Sequence, residues 1–374
     1  MNEVKEILAR LHAAATNPRS LLESYRIFGK KVILTAPVYT PEEIIHSMGL
    51  VPMGAWGADV QLNLSKSWFP AFICSIAQSI VELGISGAYE GASGIVIPTL
   101  CDSLKVLEEN FKYAVPSIPV IPMTYPQNRK PDFGKDFTLA GYRRVIADLE
   151  RITGTEFNEE KLWESVRVYN HHNAAMRRLV RVLSTRPQIT VQERSDCFKS
   201  AWFLPKEDHT ALIDRLCDQL VSQAPGTALT PVYVSGILTD SPGFNSLLDE
   251  AGLTVVGDDV AAQSRQYRTD APEDVTPLRA LVEKYAAMDH CSVLYDPAKK
   301  RCEYIAEQAK ASGAKGVLLV LTKFCDPEEF DIPLIRRACE KAGLPSTVIE
   351  VDRQMVNYEQ ARTAMETFRD MLDA

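Results

Sequence analysis

Two segments of this chain share a pattern that constrains the fold more than any other feature. Residues 94–102 and 316–326 each open with Gly, continue as a short β-type apolar run and end in Cys-Asp. Such runs are typical of buried strands in parallel sheets, so Cys101 and Cys325 are predicted to lie where a strand leaves its sheet. In open α/β sheets, ligands bind at that carboxyl end. The pattern therefore predicts an α/β fold with thiols at a binding edge.

A third cysteine, Cys74, follows the apolar residues 69–73. Three thiols from distant segments, without the Cys-x-x-Cys pairs of a zinc ribbon or bacterial ferredoxin, could hold three irons of a cubane cluster and leave the fourth iron open. Simple burial of the thiols is the alternative that spacing leaves open. Because Cys325 belongs to the other half of the chain, a joint site would lie in the crevice between two domains.

Length, composition and missing motifs limit the classes of protein to which this chain can belong. A chain of 374 residues is too long for one ordinary core and predicts two or three α/β units. The 41 Lys and Arg against 49 Asp and Glu, without a basic tract, give no indication of nucleic-acid binding. Neither a signal-peptide pattern nor an apolar run of membrane-spanning length is found, so we expect a cytoplasmic protein without membrane contact. The phosphate-loop and dinucleotide fingerprints are missing, so ATP hydrolysis and NAD binding are not expected.

The order of elements is repeated along the chain. Residues 31–54 and 231–257 both predict a strand, a capped helix and a second strand. We therefore predict two Rossmann-like βα domains of similar topology with a helical insert between them and the cluster in the inter-domain crevice. The predicted units are an N-terminal α/β domain with a leading helix at 1–136, a mainly helical middle segment at 137–225 and a C-terminal α/β domain at 226–374.

The other five cysteines are not assigned to a site. Cys217 and Cys339 lie in helical patterns and are predicted to be buried. Structural or incidental roles are assigned to Cys197, Cys291 and Cys302.

Some polar and aromatic segments allow two interpretations. The acids and arginines of residues 257–270 could orient a partner or substrate, or pair with one another. The basic run at 176–182 is predicted to be a solvated face. Six aromatic residues near the cysteines in sequence could keep water and oxygen from a cluster or simply pack in the core: Trp56, Trp68, Phe69, Phe72, Phe111 and Phe324.

Several motifs together make the chain similar to a known family. It resembles the 2-hydroxyacyl-CoA dehydratases, and more closely their smaller, D-like β-type subunits than the α-type ones. Phe-Cys-Asp-Pro-Glu-Glu at 324–329, together with the two other cysteine contexts, is a specific combination. The matching segments run in family order over essentially the whole chain: 37–57, 69–79, 101–105, 125–129, 258–265 and 323–330.

The resemblance implies a cofactor and a reaction. Cys74, Cys101 and Cys325 would ligate a 4Fe-4S cluster, and the family eliminates water from an (R)-2-hydroxyacyl-CoA to give the (E)-2-enoyl-CoA. The β-proton is hardly acidic, so an ordinary base cannot remove it. The family injects one electron into the thioester, and the resulting ketyl radical expels the α-hydroxyl and leaves a far more acidic β-position. The electron is recovered afterwards. No acid–base catalyst is assigned, and neither Glu43 nor His46 is promoted to that role.

The resemblance also implies partners. The chain would pair with a homologous α-type subunit that carries its own cluster and meets the substrate carbonyl, so the cluster here would relay or store the electron. A separate ATP-hydrolysing iron-sulfur activator would supply that electron, which agrees with the missing nucleotide motifs.

Three alternatives remain at this stage. Benzoyl-CoA reductase subunits share the cysteine pattern, although Pro-Glu-Glu after Asp326 and the Ser264-Arg265 segment are more typical of dehydratases. A cluster-free, two-lobed protein that closes on a small ligand would need only structural cysteines. An electron-transfer protein without a substrate of its own is the third. The acyl group is also open: lactoyl, 2-hydroxyglutaryl, phenyllactyl and 2-hydroxyisocaproyl thioesters all fit the pattern.

Overall fold

The computed structural model describes residues 2–226 and 229–374. The chain begins with two helices, α1 (Asn2–Thr16) and α2 (Pro18–Ile27), where the sequence predicts one leading helix. Pro18 explains the break, because the residue before a proline avoids helical backbone. Asn17 has φ −123° and ψ 50°, and Pro18 then occupies the first turn of α2, where its missing N–H is not needed.

The first α/β half alternates strands and helices: β1 (Val32–Thr35), α3 (Glu42–Ser47), β2 (Val51–Gly54), α4 (Ser75–Ile85), β3 (Gly94–Pro98), α5 (Asp102–Ala114) and β4 (Val120–Met123). The four strands are parallel and lie in the order β2-β1-β3-β4. Every residue of β1 and β3 is buried, because helices cover both faces of the sheet.

The middle of the chain is helical: α6 (Asp132–Thr153), α7 (Glu159–Leu183), α8 (Val191–Lys199) and α9 (Lys206–Val221). Thr190 and Glu193 form a capping box at the start of α8, which satisfies backbone N–H groups that the helix leaves free. Leu11 of α1 packs in one apolar cluster with Met176 of α7 and Leu216 of α9. The leading helix therefore packs on the helical middle, while the boundaries of the three units stay a prediction.

The second α/β half also alternates strands and helices: β5 (Thr230–Gly236), α10 (Pro242–Glu250), β6 (Leu253–Val260), α11 (Pro277–Ala287), α12 (Lys300–Ala311), β7 (Gly316–Thr322), α13 (Asp326–Lys341), β8 (Ser346–Val351) and α14 (Glu359–Asp373). Its strands are parallel in the order β6-β5-β7-β8. This order repeats that of the first sheet strand by strand, which confirms the prediction of two Rossmann-like domains of similar topology.

Both sheets have a topological switch point. β2 lies on one side of β1 and β3 on the other, and β6 and β7 flank β5 in the same way. A crevice opens at the carboxyl ends of such strands, and open α/β sheets bind ligands there. Cys101 comes three residues after the end of β3, and Cys325 comes three residues after the end of β7. Both thiols therefore lie at the predicted edges.

One apolar cluster runs through both halves. It contains Leu34 and Ile97 of the first sheet together with Val234 and Val320 of the second. The halves are therefore packed against each other by a shared core. Among the residues that the structure describes, no helix has the length and apolarity that a membrane crossing needs.

Candidate functional site

Each of the three cysteines singled out in the sequence occupies the residue directly before a helix. Cys74 precedes α4, Cys101 precedes α5 and Cys325 precedes α13. The backbone carbonyl of each cysteine accepts a hydrogen bond from the first turn of its helix, at 3.0 to 3.2 Å. A helix N-terminus carries a partial positive charge that stabilises a thiolate. Three helices thus begin at the three thiols.

The thiols lie in apolar surroundings and near one another. Burial raises the pKa of Cys101 to about 11 and also raises the pKa of Cys74 and, further, of Cys325. A thiolate at Cys74 would raise the pKa of both other thiols, which places the three groups within electrostatic range. Backbone N–H groups of the first helical turns act in the opposite direction, because they stabilise the thiolate.

The chemistry of these three donors is that of a metal centre held by thiolates. Across residues 2–226 and 229–374, no three His, Cys, Asp or Glu side chains are close enough to hold one metal ion. Ligands of different irons in a cluster lie farther apart than ligands of one ion. Buried thiols that stay protonated by themselves lose their protons when they coordinate a metal centre. The residues present therefore fit a group that three separate thiolates can hold.

A tight backbone turn positions Cys325. Phe324 has φ 61°, in the left-handed region, which costs a residue with a side chain about 1 kcal/mol. The Cys325 N–H donates to the carbonyl of Thr322 at 2.9 Å, so the turn closes directly after β7. The chain thereby passes from β7 into α13 within three residues and leaves the thiol at the edge.

The aromatic residues near the cysteines form two groups. Three are buried in the apolar cluster that includes Cys325 and against which the other two cysteines pack: Trp56, Phe69 and Phe111. Phe72 and Trp68, by contrast, are 70% and 37% exposed, and Phe324 is half-buried. Only some of the aromatic residues of the predicted apolar wall therefore lie in the core, and part of the segment before Cys74 faces solvent.

Arg353 joins the two halves beside Cys74. Its buried Nη1 donates to Asp240 of the second half at 2.7 Å and to Asp59 of the first half at 2.9 Å. Its backbone N–H donates to Ser75 Oγ at 3.3 Å, in the residue next to Cys74. The Arg353 charge also favours the Cys74 thiolate. This arginine therefore ties the start of α4 to the edge of the second sheet.

A buried ion network lies at the first turn of α13. Glu328 accepts hydrogen bonds from Arg301 at 2.8 Å and from Arg265 at 3.3 Å. Both arginines also bond Asp259, at 3.0 and 2.9 Å. All four side chains are buried. The acids and arginines of residues 257–270 thus pair with each other and with charged residues of earlier and later segments, as the second interpretation of that stretch expects.

Sequence reasoning missed Arg301 and Arg353. Arginine is mostly exposed in proteins, and a single sequence carries no local signal that separates a buried arginine from an exposed one. The sequence analysis contains Glu328 only as part of the Pro-Glu-Glu motif after Asp326.

The other five cysteines are buried, in agreement with the structural roles assigned to them. Cys197 and Cys217 pack among the helices of the middle segment, and Cys302 and Cys339 pack around α12 and α13. Cys291 is also buried, in the apolar cluster around α6 and α11.

His46 and Glu43 make contacts between helices. His46 bonds Ser165 Oγ at 2.7 Å and Glu207 at 3.1 Å, which links α3 to α7 and α9. Glu43 pairs with Lys284 of α11 at 2.6 Å. These contacts account for both residues without a catalytic role.

Comparison with known proteins agrees over nearly the whole chain. Residues 37–372 match the family model described as 2-hydroxyglutaryl-CoA dehydratase, D-component. The (R)-phenyllactyl-CoA dehydratase beta subunit of Clostridium sporogenes is 42% identical, over 95% of this chain and 96% of that protein. The lactoyl-CoA dehydratase subunit beta of Anaerotignum propionicum is 34% identical over the full length of both chains.

A more distant relative is a benzoyl-CoA reductase subunit of Thauera aromatica, which is 24% identical over 92% of this chain and 91% of that protein. The closer similarity to dehydratase subunits agrees with the resemblance found in the sequence. This chain belongs to the family of 2-hydroxyglutaryl-CoA dehydratase D-components.

Proposed function

We propose that this chain is the β subunit of an (R)-2-hydroxyacyl-CoA dehydratase, a lyase that removes water to give the 2-enoyl-CoA. We further propose that Cys74, Cys101 and Cys325 hold a 4Fe-4S cluster in the crevice between the halves. The observation that carries the proposal is that these three cysteines each directly precede a helix and lie in or against one apolar cluster that both halves share. Relatives at 34 to 42% identity are named dehydratase beta subunits, which favours this reaction over a benzoyl-CoA reductase.

The chain's own residues would prepare a site for an anionic cluster. When bound, the cluster would supply one-electron redox chemistry of the kind that ketyl-radical formation at the thioester requires. The first turns of α4, α5 and α13 donate backbone N–H groups towards the thiols, which favours thiolates. Arg353 adds a buried positive charge beside Cys74, and buried aromatic side chains limit access of water.

The proposed enzyme needs partners. An α-type subunit is expected from the name beta subunit that the relatives carry. We propose that it meets the acyl-CoA substrate and that this chain relays or stores the electron. An ATP-dependent iron-sulfur activator would supply the electron, because the sequence contains no phosphate loop of its own. We expect the complex to work in the cytoplasm.

The first test is iron and acid-labile sulfide per chain in protein prepared without oxygen. About four of each are expected from a 4Fe-4S cluster. Cys74→Ser, Cys101→Ser and Cys325→Ser should each lose the cluster. Cys339→Ser is the matched control, because this buried cysteine lies on α13, the helix that Cys325 precedes, but is not in the proposed site.

Folded, iron-free protein after anaerobic reconstitution would rule out the cluster, and a loss of iron in Cys339→Ser as large as in Cys325→Ser would refute the ligand assignment. The reaction is tested separately. Cluster-loaded chain, mixed with an α-type subunit, the activator, a one-electron reductant and ATP, should convert a 2-hydroxyacyl-CoA to the enoyl-CoA, and omission of this chain should abolish turnover.

A further inference from the structure

The helices that follow the three site cysteines begin in the same way. Each cysteine occupies the residue before its helix, and the backbone N–H of the third helical residue stabilises the thiolate. The pairs are Cys74 with Ala77, Cys101 with Leu104 and Cys325 with Glu328. In a helix, the side chain of this third residue can reach back to the residue before the helix. The third position is therefore a neighbour of each thiol.

The side chains at this third position differ. Ala77 and Leu104 are apolar, whereas Glu328 is an acid. Acids also open two of these helices, but Asp102 and Asp326 are exposed, so water and salt screen their charges. Of the three helices, α13 is therefore the one that places a buried acid beside its cysteine.

The Glu328 carboxylate is buried and held by three donors. The residue is 3% exposed. Ser292 Oγ donates to it at 2.7 Å, Arg301 at 2.8 Å and Arg265 at 3.3 Å. Charged hydrogen bonds of this kind stabilise a carboxylate away from water. Its negative charge is therefore fixed in position at the first turn of α13, where solvent screens it little.

The charge of Glu328 acts on the Cys325 thiol. Burial raises the pKa of Cys325 well above its usual value, and negative charges at Cys74 and then at Glu328 raise it further. After Cys74, Glu328 is therefore the charged side chain with the largest effect on this thiol. A charge that opposes formation of a thiolate also opposes the addition of an electron to a metal centre that the thiolate holds, because both changes add negative charge. The potential of an iron-sulfur cluster depends on net charge in the same way.

We propose that the buried carboxylate of Glu328, held in place by Arg265 and Arg301, lowers the reduction potential of the cluster bound at Cys325. This inference rests on the proposed 4Fe-4S cluster and adds a residue that sets its potential. Glu328 acts on the reaction through the cluster. A lower potential makes the reduced cluster a stronger electron donor, which suits a subunit that relays an electron towards a thioester.

The test measures the midpoint potential of the cluster in the full chain, prepared without oxygen and titrated with dithionite while EPR follows the reduced form. Glu328→Gln keeps the shape of the side chain but removes its charge, so reduction should become about tenfold more favourable, about 59 mV for one electron. Glu328→Asp keeps the charge and should stay closer to wild type. Glu329→Gln is the matched control, because it removes the same charge from an exposed side chain and should change the equilibrium less than about twofold.

Iron content distinguishes a failure of the proposed cluster from a failure of this inference. Wild-type chain without iron would overturn both. Glu328→Gln with about four irons and an unchanged potential would overturn only the role of Glu328, as would an equal shift in Glu328→Asp or Glu329→Gln. If Glu328→Gln does not hold iron, Arg265→Gln decides. It removes a positive charge from the same carboxylate and should lower the potential, so an unchanged or raised potential would refute the inference.

Discussion

The two α/β halves have the same strand order, but different side chains lie at the carboxyl edges of their sheets. In the first half, the helix before the third strand, α4, begins at Cys74, and α5 after that strand begins at Cys101. In the second half, α13 begins at Cys325, but α12, the counterpart of α4, begins near Arg301 in the buried ion network. At these equivalent helix starts, the first half therefore has two thiols, whereas the second half has one thiol and a group of paired charges.

This difference shows that the strand topology creates the crevice but does not determine which side chains line it. A doubly wound sheet leaves a crevice at its switch point whatever side chains are present. The first half supplies two thiols there, and the second supplies one thiol and an ion network that holds α12 and α13 to the ends of β5 and β6. Three perturbations test this division, from the largest expected effect to the smallest.

Removal of Arg301 should produce the largest effect. Arg301→Leu leaves Glu328, Asp259 and Asp331 buried with too few positive partners, and breaking a buried network in this way costs about 3–5 kcal/mol. Urea unfolding of the cluster-free protein should show a large drop in the midpoint. Arg337→Leu, exposed on α13, should leave the midpoint unchanged. An unchanged midpoint in Arg301→Leu would mean that the network does not stabilise the second half.

Removal of Arg353 should weaken the contact between the halves. Burial alone would raise the pKa of Asp240, but the charges of Arg353 and Lys199 more than offset this and lower it from 3.8 to about 2. Such a shift corresponds to about 2 kcal/mol of stability. Arg353→Met should lose much of this at pH 7.

The pH dependence distinguishes this electrostatic effect from lost packing. Because the folded pKa of Asp240 lies below its ordinary value, its contribution is present above about pH 4 and is lost as the pH falls towards about 2. The difference in unfolding free energy between wild type and Arg353→Met should therefore be smaller at pH 3 than at pH 7. An equal difference at both values would assign the effect to packing. Arg151→Met, which removes an exposed ion pair, serves as the control.

The matched glycines that open β3 and β7 should differ in how they tolerate a methyl group. A Cβ on Gly316 would lie 2.7 Å from Phe368 and 2.8 Å from Leu372, because α14 crosses that strand closely. A Cβ on Gly94 would meet nothing closer than 3.3 Å. Gly316→Ala should cost on the order of 1 kcal/mol and more than Gly94→Ala, as measured by unfolding midpoints. Equal costs would show that the two strands are covered equally closely, and a larger cost for Gly94→Ala would contradict the prediction.

The order of elements could be predicted because its signals are local. Gly-led apolar runs and helix-capping patterns indicate strands and helices without knowledge of the fold. Prediction was weaker for features that depend on contacts between residues far apart in the sequence. The single leading helix is two helices because of Pro18, and α1 packs on the middle segment through contacts that no local pattern contains. Arg301 and Arg353 were missed for the same reason.

The amino-acid sequence by itself determined that this chain has two βα units, that Cys101 and Cys325 follow buried strands, and which family it resembles. Only the tertiary structure decided that thiols of both halves come within range of one another, that Arg353 bridges the halves, and that the charges of residues 257–270 are paired rather than free. The physical reason is that a strand forms from its own residues, whereas the energy of a buried thiol or charge depends on which distant groups surround it.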